Sequence, residues 1–257
     1  MGSGAQSKLS EASAAEVASA YGELPSEAQK SLQEALKLLK AKTSGTLTCR
    51  SKLSGEVMAT LDSSQTWTYK EMAAALREKL PETKTQVIKF FIGEEAIDEY
   101  RALSDMGFAN GSGEVQCAIS QFDFGTKMTL EEAQPILEDI TEKLNGLSKA
   151  MIMEIKALKS PPHGIILVGE AVACLLQAPR ASWHDLLKMF GAKDFMEQLV
   201  TFNKDEVPME SLVELQWYLN HPLLDIDRLN RVSAGAVCMM HWARGMSMYA
   251  MLKNRVS

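Results

Sequence analysis

Two adjacent prolines, Pro161 and Pro162, constrain the fold of this chain more than any other residues. Each proline lacks a backbone N–H, and Pro162 also restricts the backbone of Pro161, so a continuous helix cannot pass through the pair. Regularly spaced apolar residues precede the prolines, and the apolar run Ile165–Val168 follows them. We therefore predict that one helix ends and another begins at this point, with a bend between them.

The composition is that of a folded protein with no membrane span and no basic domain. Of the 257 residues, 46% are hydrophobic and 23% are charged. No apolar run reaches the ~18 residues that a transmembrane helix needs. Residues 1–150 carry 16 Lys and Arg against 22 Asp and Glu, whereas residues 151–257 carry 11 of each. We therefore expect neither a transmembrane segment nor a nucleic-acid partner.

The first 45 residues predict a flexible tail and a helical segment. The tail lacks the charged and apolar regions of a secretory signal. Gly2 follows Met1 as in a myristoylation signal, but Gln6 stands where Ser or Thr is required, so a lipidated and an unmodified tail both stay open. Residues 8–41 have the composition of two helices, the second beginning near Pro25.

The residue types that carry most chemistry are scattered. The four cysteines form no C-x-x-C pair and no metal-ligand spacing, which predicts reduced thiols and neither a metal nor a cofactor. The four histidines belong to no evident site. The sequence contains no G-x-x-x-x-G-K-[ST] phosphate loop and no nucleophile elbow. We therefore expect no enzymatic activity and no catalytic residues.

Residues 46–121 change to the alternating pattern of strands. Their order resembles that of ubiquitin-like β-grasp domains, although no Gly-Gly tail for conjugation follows. The resemblance implies a face around Phe90 and Ala118 that binds a partner protein, and a folded spacer is the alternative. The predicted elements, in chain order, are strands over 46–52 and 55–62, a helix over 68–80, a strand over 87–92, a turn over 103–108 and a last strand over 114–119.

Residues 122–160 predict a linker followed by one long helix from 129 to 160. Thr129 and Glu132 match a capping box at its start. A narrow apolar stripe at spacings of three and four predicts one arm of an antiparallel coiled coil, with a core helix of a bundle as the alternative. The stripe consists of Leu137, Ile140, Leu144, Leu147, Met151, Ile155 and Leu158.

Residues 161–257 predict short helices and a long, strongly apolar last helix over about 233–253. Ser182 is the predicted cap of one of the short helices. A spaced set of residues from Pro161 to Tyr249 carries a close family resemblance. The members that it implies to be structural are Pro161, Pro162, Glu170, Trp183, Phe195, Phe202, Asp205, Pro208, Tyr218, Trp242 and Tyr249.

In order and spacing these residues resemble the microtubule-binding domain at the tip of the dynein heavy chain stalk. With the preceding helix, the resemblance covers residues 130–257. It implies that the last helix returns antiparallel to the helix before Pro161, and that the head between them binds microtubules.

The resemblance also implies a basic face, because microtubules are acidic. Positions that are basic in the family hold Ile166, Ala234 and Val237 here. Glu170 is a candidate internal partner of Arg244. The candidates for contact with a microtubule or another partner are His163, Ile166, Arg180, Lys188, Lys193, Lys204, Arg228, Arg231 and Arg244.

The sequence as a whole predicts an α+β chain that acts as a non-motor, dynein-related microtubule-binding protein. We expect it in the cytoplasm, on the cytoskeleton or in the axoneme of a cilium. The alternative is an interaction scaffold whose head docks a protein other than tubulin through apolar residues such as Ile166. The predicted domains are 1–45 (tail and helical segment), 46–121 (ubiquitin-like domain), 122–160 (linker and stalk-like helix) and 161–257 (head with the returning helix).

Overall fold

The computed structural model describes residues 44–123, 128–180 and 182–256. The helices predicted within residues 8–41 and the lipidation signal at Gly2 lie outside these residues. The described residues belong to two compact units, one with residues 44–72 and 91–116 and the other with residues 73–90 and those from 117 onward. The chain is of mixed α and β structure, with one five-stranded sheet and a set of helices.

The five strands are arranged in the order β2-β1-β5-β3-β4. Each predicted strand is present, and the two-residue β4 was not predicted. β1 and β2 form an antiparallel hairpin with Leu47 opposite Leu61. Gly55 closes its turn at a φ of 74°, a backbone conformation that side chains disfavour. The strands are β1 Ser44–Ser51, β2 Val57–Ser64, β3 Gln86–Ile92, β4 Glu95–Ala96 and β5 Gly113–Gln121.

The helix α1, Tyr69–Lys79, follows the hairpin as predicted. At the start of this helix the Glu71 carboxylate accepts a hydrogen bond of 2.8 Å from the Thr68 backbone N–H. Pro81 begins a short 3₁₀ turn.

One prediction for the sheet was wrong, because Phe90 does not lie on an accessible face. Its side chain is 1% exposed, as is expected for a residue two positions from the buried Ile88. Lys89 lies between them and is exposed, so the outer face of β3 carries the residues that alternate with Ile88 and Phe90.

The described residues from 128 onward are mainly helical, with two 3₁₀ turns, Lys204–Glu206 and Pro222–Leu224. The helices are α2 Leu130–Asn145, α3 Lys149–Lys156, α4 His163–Leu175, α5 Trp183–Gly191, α6 Phe195–Val200, α7 Met209–Leu219, α8 Ile226–Asn230 and α9 Ala234–Val256. Of these, α3 ends before Pro161 and α4 starts directly after Pro162, so the predicted bend is present.

The single helix predicted over 129–160 was wrong, because the segment forms the two helices α2 and α3. The Gly146 N–H donates to the Lys143 carbonyl at 3.1 Å and ends α2. The Ser148 hydroxyl then accepts from the Met151 N–H at 3.2 Å and begins α3. The regular spacing of apolar residues continues across this break, and for that reason the sequence pattern predicted one helix. The predicted capping box of Thr129 and Glu132 is present.

Helix α9 runs antiparallel to α2 and α3, because residues later in α9 contact residues earlier in the α2–α3 segment. A Cβ atom on Gly245 would lie 2.3 Å from Cδ1 of Ile140 in α2. A Cβ on Gly235 would lie 3.0 Å from Cβ of Met151 and 3.3 Å from Cδ1 of Ile155, both in α3. Glycine at these two positions therefore lets the helices approach closely.

Several residues that the family resemblance implies to be structural lie in the core of the helices. Trp242, Tyr218 and Phe195 are among the largest fully buried side chains. The Trp242 indole N–H donates to the Leu199 carbonyl at 3.0 Å, and its ring meets that of Phe202 edge-on with centroids 5.2 Å apart. Truncation of a buried aromatic side chain of this size to alanine typically lowers the free energy of unfolding by about 3 to 5 kcal/mol.

Candidate functional site

The candidate residues occupy distinct settings along α9. The N-terminal end of α9, at Ala234, lies beside α3 and directly after α8. The C-terminal end lies beside the Lys204–Glu206 turn, because Tyr249 and Lys253 both contact Asp205. A 23-residue helix is about 35 Å long at ~1.5 Å per residue, so the two settings are well separated.

We call the residues at the N-terminal end of α9 the tip cluster: His163, His221, Arg228 and Arg231. Pro162 caps α4, so His163 is its first residue. His221 caps the Pro222–Leu224 turn, with Nδ1 accepting the Leu223 N–H at 3.0 Å. The Asp225 carboxylate then accepts the Arg228 N–H at 3.0 Å and begins α8, which ends beside Arg231. Successive caps thus place three short elements at one end of the unit.

Close packing joins these elements. The rings of His163 and His221 meet edge-on with centroids 6.2 Å apart, and His221 meets Trp217 in the same way at 5.1 Å. A Cβ on Gly164 would lie 3.2 Å from the Leu223 carbonyl oxygen, so α4 approaches the turn backbone closely. Burial lowers the pKa of His221, and the charges of His163 and Arg228 lower it further.

The two arginines of the tip cluster are directed to solvent. Arg228 and Arg231 are exposed, and within the described residues neither side chain has a hydrogen-bond or ion-pair partner. Val232 follows them and is 44% exposed. Ile166, on the next turn of α4, is half-buried and therefore less accessible than Val232. The cluster therefore combines unpaired positive charge with one accessible apolar side chain.

A second group of cations lies at the C-terminal end of α5. Lys188 and Lys193 are exposed and flank Gly191 in the chain. Lys156 of α3 crosses to this end, where its Nζ lies 3.2 Å from the place of a Cβ on Gly191. Positive charge is favoured at a helix C-terminus, so part of the role of this group is to stabilise α5.

Arg180 is bound within the protein and not presented as a contact. Its guanidinium donates to both carboxylate oxygens of Glu214 on α7, with Nε–Oε1 at 3.3 Å and Nη2–Oε2 at 2.6 Å. Burial lowers the pKa of Arg180, but the hydrogen bond that Arg180 donates to Glu214 and the nearby negative charge outweigh it and raise the pKa overall. Bidentate pairs of this kind fix both side chains in one geometry.

Lys204 is likewise engaged, at the C-terminal end of α9. Its Nζ lies 4.8 Å from the centroid of the Tyr249 ring, a cation–π contact. The adjacent Asp205 accepts hydrogen bonds from Lys253 Nζ at 2.7 Å and from the Tyr249 hydroxyl at 2.9 Å. These two bonds lower the pKa of Asp205 and raise those of its donors. We call Lys204, Asp205, Tyr249 and Lys253 the clasp.

Arg244 is half-buried in α9 and points into the unit. Its Nη2 donates to the Leu224 carbonyl at 3.1 Å, a contact other than the predicted one with Glu170. Burial lowers its pKa, and the carboxylate of Asp225 partly offsets this effect. Arg244 therefore supports the turn beneath the tip cluster from inside.

Sequence reasoning missed His221, Lys156, Glu214 and Lys253. His221 lies 58 positions from His163 in the chain, and no local pattern connects them. Within the described ranges, no group of three or more His, Cys, Asp and Glu side chains could hold a metal ion. Across the same residues, the helices are too short or too polar for any of them to span a bilayer.

Comparison with known proteins identifies one family. The family model of the microtubule-binding stalk of dynein motor matches residues 75–252, more than half of the chain. Human dynein axonemal heavy chain 2 is 32% identical over 123 residues, which are 48% of this chain and 3% of that protein. The cytoplasmic dynein heavy chain of Caenorhabditis elegans is 26% identical over 128 residues, 49% of this chain and 3% of that protein.

The chain thus spans about 3% of the length of these relatives. A solved structure, the microtubule binding domain of dynein-c, is 28% identical and superposes with a TM-score of 0.43. It covers 50% of this chain and 91% of its own.

Proposed function

The chain belongs to the family of microtubule-binding stalks of dynein motors, and on this premise we propose that its helices bind microtubules through the tip cluster. The observation that carries the proposal is the pair Arg228 and Arg231, exposed and without partners in the described residues, at the N-terminal end of α9. Exposed cations attract an acidic polymer over about one Debye length, ~10 Å at 0.1 M salt.

The net charge of the surrounding sequence does not show which cations at this end are accessible. Residues 151–257 carry 11 basic and 11 acidic side chains, which alone would predict weak attraction. Glu214 and Asp205, however, are occupied with Arg180, Lys253 and Tyr249 away from the tip. At the tip, Asp225 is engaged as the cap of α8. The arrangement leaves cationic groups accessible where a partner would approach.

Co-sedimentation with polymerised tubulin at low salt tests this function. We expect the wild-type protein to pellet with microtubules, and the double variant Arg228→Glu/Arg231→Glu to bind about tenfold more weakly or worse, since two attractions become repulsions of roughly 0.5 to 1 kcal/mol each. Lys84→Glu is the matched control, because Lys84 is also exposed but lies before the helices from 128 onward. Lys193→Glu measures what the second group of cations adds.

The two sets of variants also define what would contradict the proposal. If no wild-type protein pellets at tens of micromolar, the helices do not bind microtubules. If the tip double variant and Lys84→Glu bind equally well, the contact lies elsewhere on the chain.

The second candidate function is an interaction scaffold that binds a protein other than tubulin. The observation that favours it is the accessible apolar Val232 beside the two arginines. An apolar contact is largely insensitive to salt, whereas an electrostatic one weakens as ionic strength rises. Binding of a partner that persists at 0.5 M salt and is lost in Val232→Ser would favour the scaffold.

For the sheet we propose a ubiquitin-like β-grasp fold that binds a partner protein on its outer face. The order β2-β1-β5-β3-β4, with one helix between β2 and β3, supports this assignment. Because Phe90 is buried, Phe91 is the better candidate contact, with Lys52 Nζ 4.6 Å from its ring centroid. Loss of partner binding in Phe91→Ala, with an unchanged melting temperature, would test this role.

We also propose that the protein has no enzymatic activity and is not itself a motor. We propose further that it resides on the cytoskeleton or in the axoneme. Support for the location comes from relatives named as axonemal and as cytoplasmic dyneins. Microtubule-stimulated ATP hydrolysis by the purified protein would contradict the first two statements.

A further inference from the structure

The tip cluster contains two histidines that touch each other but lie in different surroundings. His163 is exposed at the first turn of α4, whereas His221 is 8% exposed and packed against Trp217. Histidine is the side chain whose charge ordinarily changes between pH 5 and 8. Two imidazoles with centroids 6.2 Å apart do not gain protons independently, because the first charge disfavours the second.

We propose that this histidine pair makes microtubule binding by the tip cluster pH-dependent, with His163 accepting the proton that strengthens binding and His221 remaining neutral. The proposal rests on the proposed function, and it adds a regulation of that site. A protonated His163 adds a third positive charge to the end of the unit that presents Arg228 and Arg231. Binding to an acidic partner in turn favours the protonated form, so affinity and protonation are linked.

The hydrogen bonds decide which histidine accepts the proton. Nδ1 of His221 accepts the Leu223 N–H, so the neutral ring carries its hydrogen on Nε2. A second proton would have to go to Nδ1, and the bond that caps the Pro222–Leu224 turn would be lost. Burial, the charge of His163 and that of Arg228 also lower the pKa of His221. His163 has no such bond to lose in the described residues.

The charges around the pair come from every element that packs against it. Acidic side chains of α8 and its cap oppose the arginines, and those of α7 lie farther along that helix, where Glu214 is held by Arg180. Carboxyl and guanidinium groups ordinarily titrate outside the range from pH 6 to 8, which is the range of imidazole, so the test is made there. The groups are Lys159 before α4, Glu170 in α4, Glu210 and Glu214 in α7, Asp225, Asp227, Arg228 and Arg231 at α8, and Arg244 in α9.

The test measures the dissociation constant for polymerised tubulin between pH 6.0 and 8.0, for the wild type and for His163→Gln side by side. Tubulin changes with pH as well, and the ratio of the two constants removes this effect. We expect the wild type to bind about threefold more tightly than the variant at pH 6.0 and equally at pH 8.0, as for one exposed ion pair. His163 is exposed, so the variant should fold normally.

A permanent charge provides the matched variant. We expect His163→Lys to bind at pH 8.0 about as tightly as the wild type does at pH 6.0, with little dependence on pH. A ratio of wild type to His163→Gln that stays flat across the range, while both proteins pellet, overturns the inference and leaves the proposed function standing. Failure of every variant to pellet at any pH overturns both.

Discussion

The two ends of α9 present their cations differently. At the N-terminal end, Arg228 and Arg231 face solvent without partners in the described residues. At the C-terminal end, Lys253 bonds Asp205 at 2.7 Å and Lys204 lies over the Tyr249 ring. Both ends contain basic and acidic residues in similar numbers, yet only the arginines at the N-terminal end lack a side-chain partner in the described residues. The position of the carboxylates, not the number of cations, distinguishes them.

This difference explains why the balance of charges in the sequence is a poor guide to binding here. Carboxylates that are bound within the protein, such as Glu214 and Asp205, neutralise cations at those places, whereas Arg228 and Arg231 at the tip have no ion-pair partner in the described residues. Removing an internal carboxylate should therefore lower stability and leave microtubule binding unchanged. Charge reversal at Arg228 and Arg231 should weaken microtubule binding and leave stability unchanged.

The largest effect on stability is expected from Glu214→Ala. The change leaves the half-buried Arg180 with one hydrogen-bond acceptor in the described residues, the Ala178 carbonyl at 3.5 Å from its Nη1. Side chains that are 29% and 33% exposed are partly screened, so we expect a loss of about 1 to 2 kcal/mol in the free energy of unfolding. Denaturant unfolding measures this loss, with the exposed Glu210→Ala on the same helix as control.

The same variant tests the comparison directly. If Glu214→Ala weakens microtubule binding as strongly as Arg228→Glu/Arg231→Glu does, the paired and unpaired cations do not have separate roles. Equal stability of Glu214→Ala and Glu210→Ala would show that the bidentate pair contributes nothing measurable.

A smaller effect is expected from His221 as pH falls. Its pKa is lowered in the folded state, by burial first and then by His163 and Arg228, so the unfolded chain binds the proton more readily. The stabilising contribution is therefore complete above the ordinary value of about 6.5 and is lost as pH falls through the lower, folded-state pKa. We expect the melting temperature of His221→Gln to fall less steeply from pH 7 to pH 5 than that of the wild type.

His241 provides the control for this measurement, because burial and then the charges of Lys143 and Arg244 lower its pKa in the same direction. His241→Gln should also make the melting temperature fall less steeply from pH 7 to pH 5, independently of His221→Gln. If the slope of the wild type persists in His221→Gln, then protonation of His221 does not contribute to the loss of stability as pH falls.

The sequence predicted the order of elements well, where local chemistry determines them. Pro162, Ser182 and the Thr129–Glu132 box each begin a helix as expected. Side-chain caps and prolines act within about four residues, so they are visible in the sequence without knowledge of the fold. The antiparallel course of α9 was likewise predicted, on the basis of family resemblance.

Local chemistry could not predict which of the candidate contact residues are paired within the protein and which are exposed. Arg180 and Glu214 are 34 positions apart, and Asp205 and Lys253 are 48 apart. Such pairs depend on which helices pack together, and a charged residue in the sequence gives no sign of whether its partner is a carboxylate of the chain or of another protein. The break at Gly146 was missed for the opposite reason, because a continuing apolar stripe obscured a local cap.

The smallest effect is expected from Asp205→Asn in the clasp, where the side chains of Asp205 and Lys253 are 43% and 39% exposed. The carboxylate accepts from Lys253 and Tyr249, and these bonds lower its pKa, so its contribution is present above the ordinary pKa of about 4 and is lost as pH falls through the folded value. We expect a slight fall in melting temperature at pH 7 that vanishes near pH 3 and diminishes in high salt. Microtubule binding should stay unchanged at low salt, because the clasp holds its cations away from the tip. A variant that unfolds no sooner but binds more weakly would mean that the C-terminal end of α9 influences the tip, and the two ends would then have to be treated as one coupled site.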